Sequence, residues 1–444
     1  MRPPRRPGVP TAGAAVLPTV LAVVVVLVAA VTSACGGPVQ ESGTAIAWGR
    51  QAAPLRLGVT HGETSLAPSD PAGALARGRA VLAAAGPWQN QHLMGFGVLN
   101  PEPSPGVYDW SSLDTRMALI RATGGDTVLT LAGAPDWMKG GEPGASDFSR
   151  IEVAPLPAHL DDFAALCAAA VARYPQVRAV QVWNELKGFY DTAANRWDAP
   201  GYAALYDRVY RAVKAVRPDV AVGGPYVPLD SWSDMTVAPS AVVGPWGVAD
   251  GRALDVVTYW LAHNPGADFL TVDGGTGTKD DGLTTDPPAA AEKFAALTAW
   301  LRARSPLPVW WAEFYPEAPD DPGPATPARA AATLEVVAAL ARAGAATALL
   351  WQPQESADLR YAALWTDTAD ADGGRPTALT PSWTWLAPRL AAGSVDVGSS
   401  PDGRLLAFRG GTSTLLVNTS EDDLVVDGTA LGASAATVTG AATR

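Results

Sequence analysis

The feature that most constrains this chain is an alternation of two periods. From Leu55 onward, short apolar runs of strand length take turns with longer stretches whose apolar residues recur at three- and four-residue steps. The runs fall at 55–60, 93–99, 127–133, 179–184, 220–224, 256–261, 308–313 and 346–351. Between them, Leu160, Phe163, Cys167, Val171 and Tyr174 keep a helical step, as do Tyr202, Leu205, Val209, Val213 and Val216 before Pro218. Further helical stretches span 72–85, 111–122, 289–304 and 326–343, the last opened by Thr326-Pro327 and stopped by Gly344. Eight strand-like runs separated by helices, over roughly 340 residues, are what a (β/α)8 TIM barrel requires. Right-handed parallel crossovers leave one main rival, an open doubly wound sheet, and no Gly-rich turn follows the first strand to support it.

The pattern changes after a last helix at 382–391. Runs at 405–409, 414–418 and 424–426 are separated by Gly, Asn, Asp and Ser, which predicts a small C-terminal β domain. At the other end, Arg2, Arg5 and Arg6 precede an apolar run at 16–31 and then Ser33-Ala34-Cys35, the layout of an export signal. Thr32-Ser33-Ala34-Cys35 resembles the bacterial lipobox, with Thr32 where Leu is usual. Cys35 is thus a candidate lipidation site, and the N-terminus a candidate membrane anchor for an exported protein. The expected organisation is a signal at 1–35, a polar tether at 36–54, the barrel at 55–393 and the β domain at 394–444.

Charge narrows the partners. A formal net charge of −12 argues against nucleic acid, which needs a basic patch. The two cysteines cannot build a disulfide framework or a Cys-based metal site. The aspartates at 367, 370 and 372 do not place their ligands as a calcium loop would, and the Gly-rich run 273–279 lacks the phosphate-loop spacing. No metal or other cofactor is expected. Sixteen tryptophans fit core filling, with a few left as platforms for sugar faces.

Barrel enzymes carry their chemistry at the carboxyl ends of the strands. There the sequence offers Asn184 and Glu185 on strand four, Tyr259 and His263 on strand six, Glu313 on strand seven and Trp351 on strand eight. Strands one to three add His61, Glu63, Asn100, Glu102 and Trp137. Two carboxylates, on strands four and seven, stand out.

These residues carry a resemblance. Trp183-Asn184-Glu185 closing strand four and Ala312-Glu313-Phe314 closing strand seven resemble clan A of the glycoside hydrolases. Gly106-Val107-Tyr108-Asp109-Trp110, Gly133-Ala134-Pro135-Asp136-Trp137 and Val222-Gly223-Gly224-Pro225 make glycoside hydrolase family 39 the nearest likeness. The resemblance implies a retaining hydrolase acting on a β-linked oligo- or polysaccharide, with Glu185 as acid/base and Glu313 as nucleophile. It further implies Asn184 on the sugar 2-hydroxyl, Tyr259 orienting Glu313 and Trp351 as stacking floor, with His263 and Trp137 as further binding candidates. Two departures stand out: Leu186-Lys187 follows Glu185 where the family commonly has Pro, and strand six reads Tyr259-Trp260-Leu261-Ala262-His263.

The chemistry needs two carboxyl groups because one must protonate the departing oxygen while the other faces an oxocarbenium-like centre. Glu185 is expected to hold its proton and Glu313 to be ionised. A binding barrel without turnover and a transglycosylase using the same pair are the alternatives.

Overall fold

The computed structural model describes residues 40–41, 46–63, 65–283, 285–317, 325–356, 359 and 361–440. The export segment and Cys35 lie outside them. Among the described residues no helix is long and apolar enough to cross a membrane.

Eight parallel strands close into a barrel in chain order: β1 (Arg56–Thr60), β2 (Trp88–His92), β3 (Asp126–Leu131), β4 (Val177–Val182), β5 (Ala221–Pro228), β6 (Phe269–Gly275), β7 (Val309–Tyr315) and β8 (Thr347–Trp351). The helices between them are α1 (Ala72–Ala85), α2 (Ser111–Ala122), α3 (Leu160–Arg173), α4 (Ala199–Val216), α5 (Gly251–His263), α6 (Pro287–Arg302) and α7 (Pro327–Ala343), with α8 (Leu379–Ala391) after β8. Local chemistry sets their ends. Asp198 and Asp286 accept hydrogen bonds from the backbone N–H groups of Gly201 and Ala289, capping α4 and α6. Gly344, at φ 79°, closes α7 in the left-handed conformation that a side chain resists.

Two strands differ from the sequence reading. The second is Trp88–His92 rather than 93–99, and four of its five residues are buried polar groups. The sixth is Phe269–Gly275, whereas 256–261 belongs to α5. There Ala253, Leu254, Val256, Val257 and Trp260 are buried at helical spacing, and the Asp250 carboxylate caps the helix by accepting from Arg252 N–H. Tyr259 and His263 therefore sit on an outer helix, not at a strand end. His263 is exposed and stacks on Tyr259 with ring centres 3.9 Å apart.

The polar residues of β2 are satisfied inside the barrel. The Asn90 amide donates to Thr60 Oγ1 at 3.1 Å, and Thr130 Oγ1 donates to Asn90 Oδ1 at 2.9 Å. Gln181 donates to Thr130 at 3.2 Å and accepts from Thr271 at 2.6 Å. Thr60 in turn donates to the Ala312 carbonyl at 2.6 Å, one residue before Glu313. This belt links β1, β2, β3, β4, β6 and β7 with no exposed atom, replacing an apolar filling layer with mutually bonded groups.

Beyond the barrel, strands Val395–Ser399, Leu405–Gly410, Ser413–Asn418 and Ala436–Gly440 form an antiparallel sheet. Ala47–Arg50 adds to its edge by pairing with Val395–Ser399. Part of the stretch read as a tether is thus a strand. The aspartate-rich turn near 370 is tied to α1, where Arg77 Nε donates to the Gly373 carbonyl at 2.8 Å.

Candidate active site

Each carboxylate of the expected pair sits where its strand opens. After Val182 the backbone leaves β4 through three left-handed residues, Trp183 (φ 69°), Glu185 (φ 48°) and Leu186 (φ 49°). None is glycine, so the segment holds strain that its surroundings must override. Trp183 and Leu186 supply the hold: both are buried, and Trp183 Nε1 donates to the Lys187 carbonyl at 2.7 Å. The Leu186 conformation also accounts for the missing proline, whose ring fixes φ near −65° and cannot enter the left-handed region.

Glu313 lies near the end of β7 and is only 3% exposed. Tyr226, from β5, donates to its Oε1, and Tyr315, two residues on, donates to its Oε2. The Asn184 amide approaches Oε1 at 3.4 Å. Glu185 faces the cleft, with Lys187 Nζ 3.1 Å from its Oε2 and 2.7 Å from Glu152. A single phenol joins the pair, since the hydroxyl of Tyr315 also lies 3.5 Å from Glu185 Oε1. The carboxyl ends of β4 and β7 thus meet through one shared group.

The electrostatics differ from the sequence expectation. Burial, and then the charge of Glu185, pushes the Glu313 carboxyl up to about 8, against the pull of the Tyr226 and Tyr315 hydroxyls. The expected ionised Glu313 is not what these surroundings give to the protein alone. Asp273, on β6, is a third carboxyl in the cluster. It is raised well above the carboxylate range by burial and by the charges of Glu185 and Glu313, and its Oδ1 has no partner. Burial lowers Lys187, but the Glu185 and Glu152 carboxylates outweigh it and hold the ammonium charged.

Of the other expected residues, Trp351 ends β8 with its ring 6.1 Å from His92 and 5.4 Å from Phe96. That places it beside the pair, since His92 Nε2 is 3.9 Å from Glu313 Oε1. Trp137 instead packs in a 3₁₀ turn, Asp136–Lys139, donating to the Glu102 carbonyl at 3.0 Å. Tyr259 cannot orient Glu313 from α5; Tyr226 and Tyr315 do so.

Sequence reading missed Tyr226, Tyr315, Asp273 and His92. Tyr315 was within reach of it, two residues past Glu313 on one strand and so on the same face. His92 is buried with neither ring nitrogen hydrogen-bonded, and burial followed by the Lys187 charge lowers it to about 3, keeping it neutral. The cleft over these groups has a volume of about 910 Å³ and is lined by Glu185, Lys187, Asp273, Tyr315 and charged rim residues including Asp230, Arg252 and Lys279.

No family model matches the sequence, and no curated protein does. Solved structures match in shape. A monomeric β-xylosidase from Caulobacter crescentus is 18% identical with a TM-score of 0.56, over 83% of this chain and 75% of that one. The GH39 enzyme from Xanthomonas axonopodis pv. citri is 18% identical with a TM-score of 0.52, over 85% and 75%. SrfJ from Salmonella typhimurium is 14% identical with a TM-score of 0.55, over 90% and 93%. At such identities the common property is the fold, and the chain is a (β/α)8 barrel similar to those of family 39 β-xylosidases and other glycosidases.

Proposed function

We propose that this protein is a retaining glycoside hydrolase that cleaves a β-linked glycan by double displacement. The observation that carries the reading is the Tyr315 hydroxyl, which reaches both Glu185 and Glu313. Two oxygens sharing one hydroxyl partner stand no further apart than the two contacts laid end to end. That lies below the roughly 6.5–9.5 Å of inverting pairs and admits the about 5–5.5 Å of retaining ones.

Roles follow from exposure and partners. Glu313, buried and gripped by two phenols, is the nucleophile; its oxygen bonds to the anomeric carbon as the glycosidic bond breaks. Glu185, open to the cleft, gives its proton to the departing oxygen and then takes one from the water that releases the sugar. Burial and the charge of Glu185 raise the Glu313 carboxyl to about 8, and the reaction requires that proton on Glu185 instead. Tyr226 and Tyr315 favour that distribution, because both donate to the Glu313 carboxylate. Asn184, whose amide stands 3.4 Å from Glu313 Oε1, is in this reading the partner of the sugar 2-hydroxyl.

The test is a panel of aryl β-glycosides assayed with wild type, Glu313→Ala and Glu185→Ala, with and without azide. Loss in Glu313→Ala, with azide restoring turnover as an α-glycosyl azide, is the expected result for a buried nucleophile. Glu185→Ala should spare substrates with good leaving groups and yield the β-glycosyl azide. Equal activity of wild type and Glu313→Ala would remove the reading.

A further inference from the structure

Beside the cleft that holds the carboxylates lies a second cavity of about 870 Å³, and either one alone has the size that takes a drug-sized ligand. The two adjoin, because Gly188, Tyr190, Trp197 and Arg252 line both. The junction is built by the segment that follows Glu185. Gly188 is the third residue past it, and Tyr190 and Trp197 are cross-strand partners in the hairpin of Tyr190–Asp191 with Arg196–Trp197. Their rings meet edge to face at 5.2 Å, and the Arg252 guanidinium lies 6.0 Å from the Tyr190 ring.

The second cavity is chemically suited to sugar. Tyr259, half-buried on α5, lines it together with Trp197. The exposed Arg196 and Asp255 side chains also line it, and neither makes a hydrogen bond or an ion pair among the described residues. A pyranose ring has an apolar C–H face and a rim of hydroxyls. It is matched by aromatic surface beside donors and acceptors that are still free.

We propose that this second cavity extends the cleft on the leaving-group side, so that the substrate is an oligosaccharide or polysaccharide with several sugar units beyond the bond that is cut. The inference rests on the two-carboxylate reading: Glu185, as proton donor, faces the departing sugar, and the cavity bordered by Gly188, Tyr190 and Trp197, in the segment that follows Glu185, receives what departs. Tyr259 thereby belongs to binding rather than to the orientation of Glu313.

The test compares kcat/KM on β-linked xylo-, manno- and gluco-oligosaccharides, from disaccharide to hexasaccharide, with that on the matching aryl monoglycosides. For the sugar accepted, kcat/KM should rise at least about tenfold from disaccharide to hexasaccharide. Arg196→Ala and Tyr259→Ala should each reduce the hexasaccharide-to-monoglycoside ratio several-fold. Arg196 is exposed, so its replacement leaves the fold intact. A flat length profile, while Glu313→Ala is dead, would overturn the extended site and leave the glycosidase reading standing. Cleavage that Glu313→Ala does not abolish would defeat both.

Discussion

At the residue scale, the site depends on two glutamates at the ends of β4 and β7, strands that β5 and β6 separate in the barrel. Leu186 shows how closely sequence and backbone are tied there. At φ 49° it occupies a conformation closed to proline, so Leu186→Pro should not restore a family-like site. It should displace Glu185 and cost about 1–3 kcal/mol of stability, read as a lowered Tm together with lost turnover. Glu313 makes a pH-dependent prediction. Its carboxyl is raised from 4.5 to about 8, so the folded protein keeps a proton that the unfolded chain gives up. The native state is therefore favoured below about pH 4.5, and that advantage is lost as pH rises through about 8. Glu313→Gln removes the titration and should raise the unfolding free energy relative to wild type by more at pH 8 than at pH 4, by up to about a few kcal/mol in denaturant titrations. Equal differences at the two pH values would contradict the burial argument.

At the element scale, the residues that sequence reading could and could not place follow from what each strand is made of. Helix α2 matches its expected span because Leu113, Met117 and Ile120 mark one face. Strands β7 and β8 were legible because they are apolar runs bounded by turns. Strand β2 was not, because Gln89, Asn90, Gln91 and His92 are polar and their burial depends on partners from other strands. Strand β6 was hidden by Gly274 and Gly275, while α5 imitated it with a β-branched and aromatic run too short for periodicity to decide. Misplacing β6 cost the site Asp273 and lent it Tyr259 and His263. The polar belt yields its own prediction. Gln181→Leu would strand Thr130 and Thr271 without their partner and should cost about 1–3 kcal/mol by chemical denaturation. A neutral or stabilising effect would mean that the belt is not what fills the barrel.

At the scale of the whole molecule, eight parallel strands leave no open edge, and the carboxyl ends of β4, β5, β6 and β7 converge on one cluster. The terminal sheet is not a separate body in packing terms. Val395, Val397, Leu406, Phe408, Leu415 and Val417 share one apolar core with α7 and α8. A chain ending at residue 393 would expose that face, so it should aggregate or lose cooperative unfolding, whereas an intact, cooperatively melting barrel would show the sheet to be dispensable. The family resemblance pointed to the barrel and the two glutamates. Tyr226, which holds Glu313 from β5, came from three-dimensional placement alone, whereas Tyr315, which joins the two, stood two residues past Glu313 in the sequence.

The central claim is that Glu185 and Glu313 act as a retaining pair. The most direct measurement is the anomeric configuration of the first-formed product, followed by NMR during cleavage of a β-glycoside before mutarotation. The account predicts the β-anomer at first, with the signal lost in Glu313→Ala. An initial α-anomer would show single displacement by water and would contradict it.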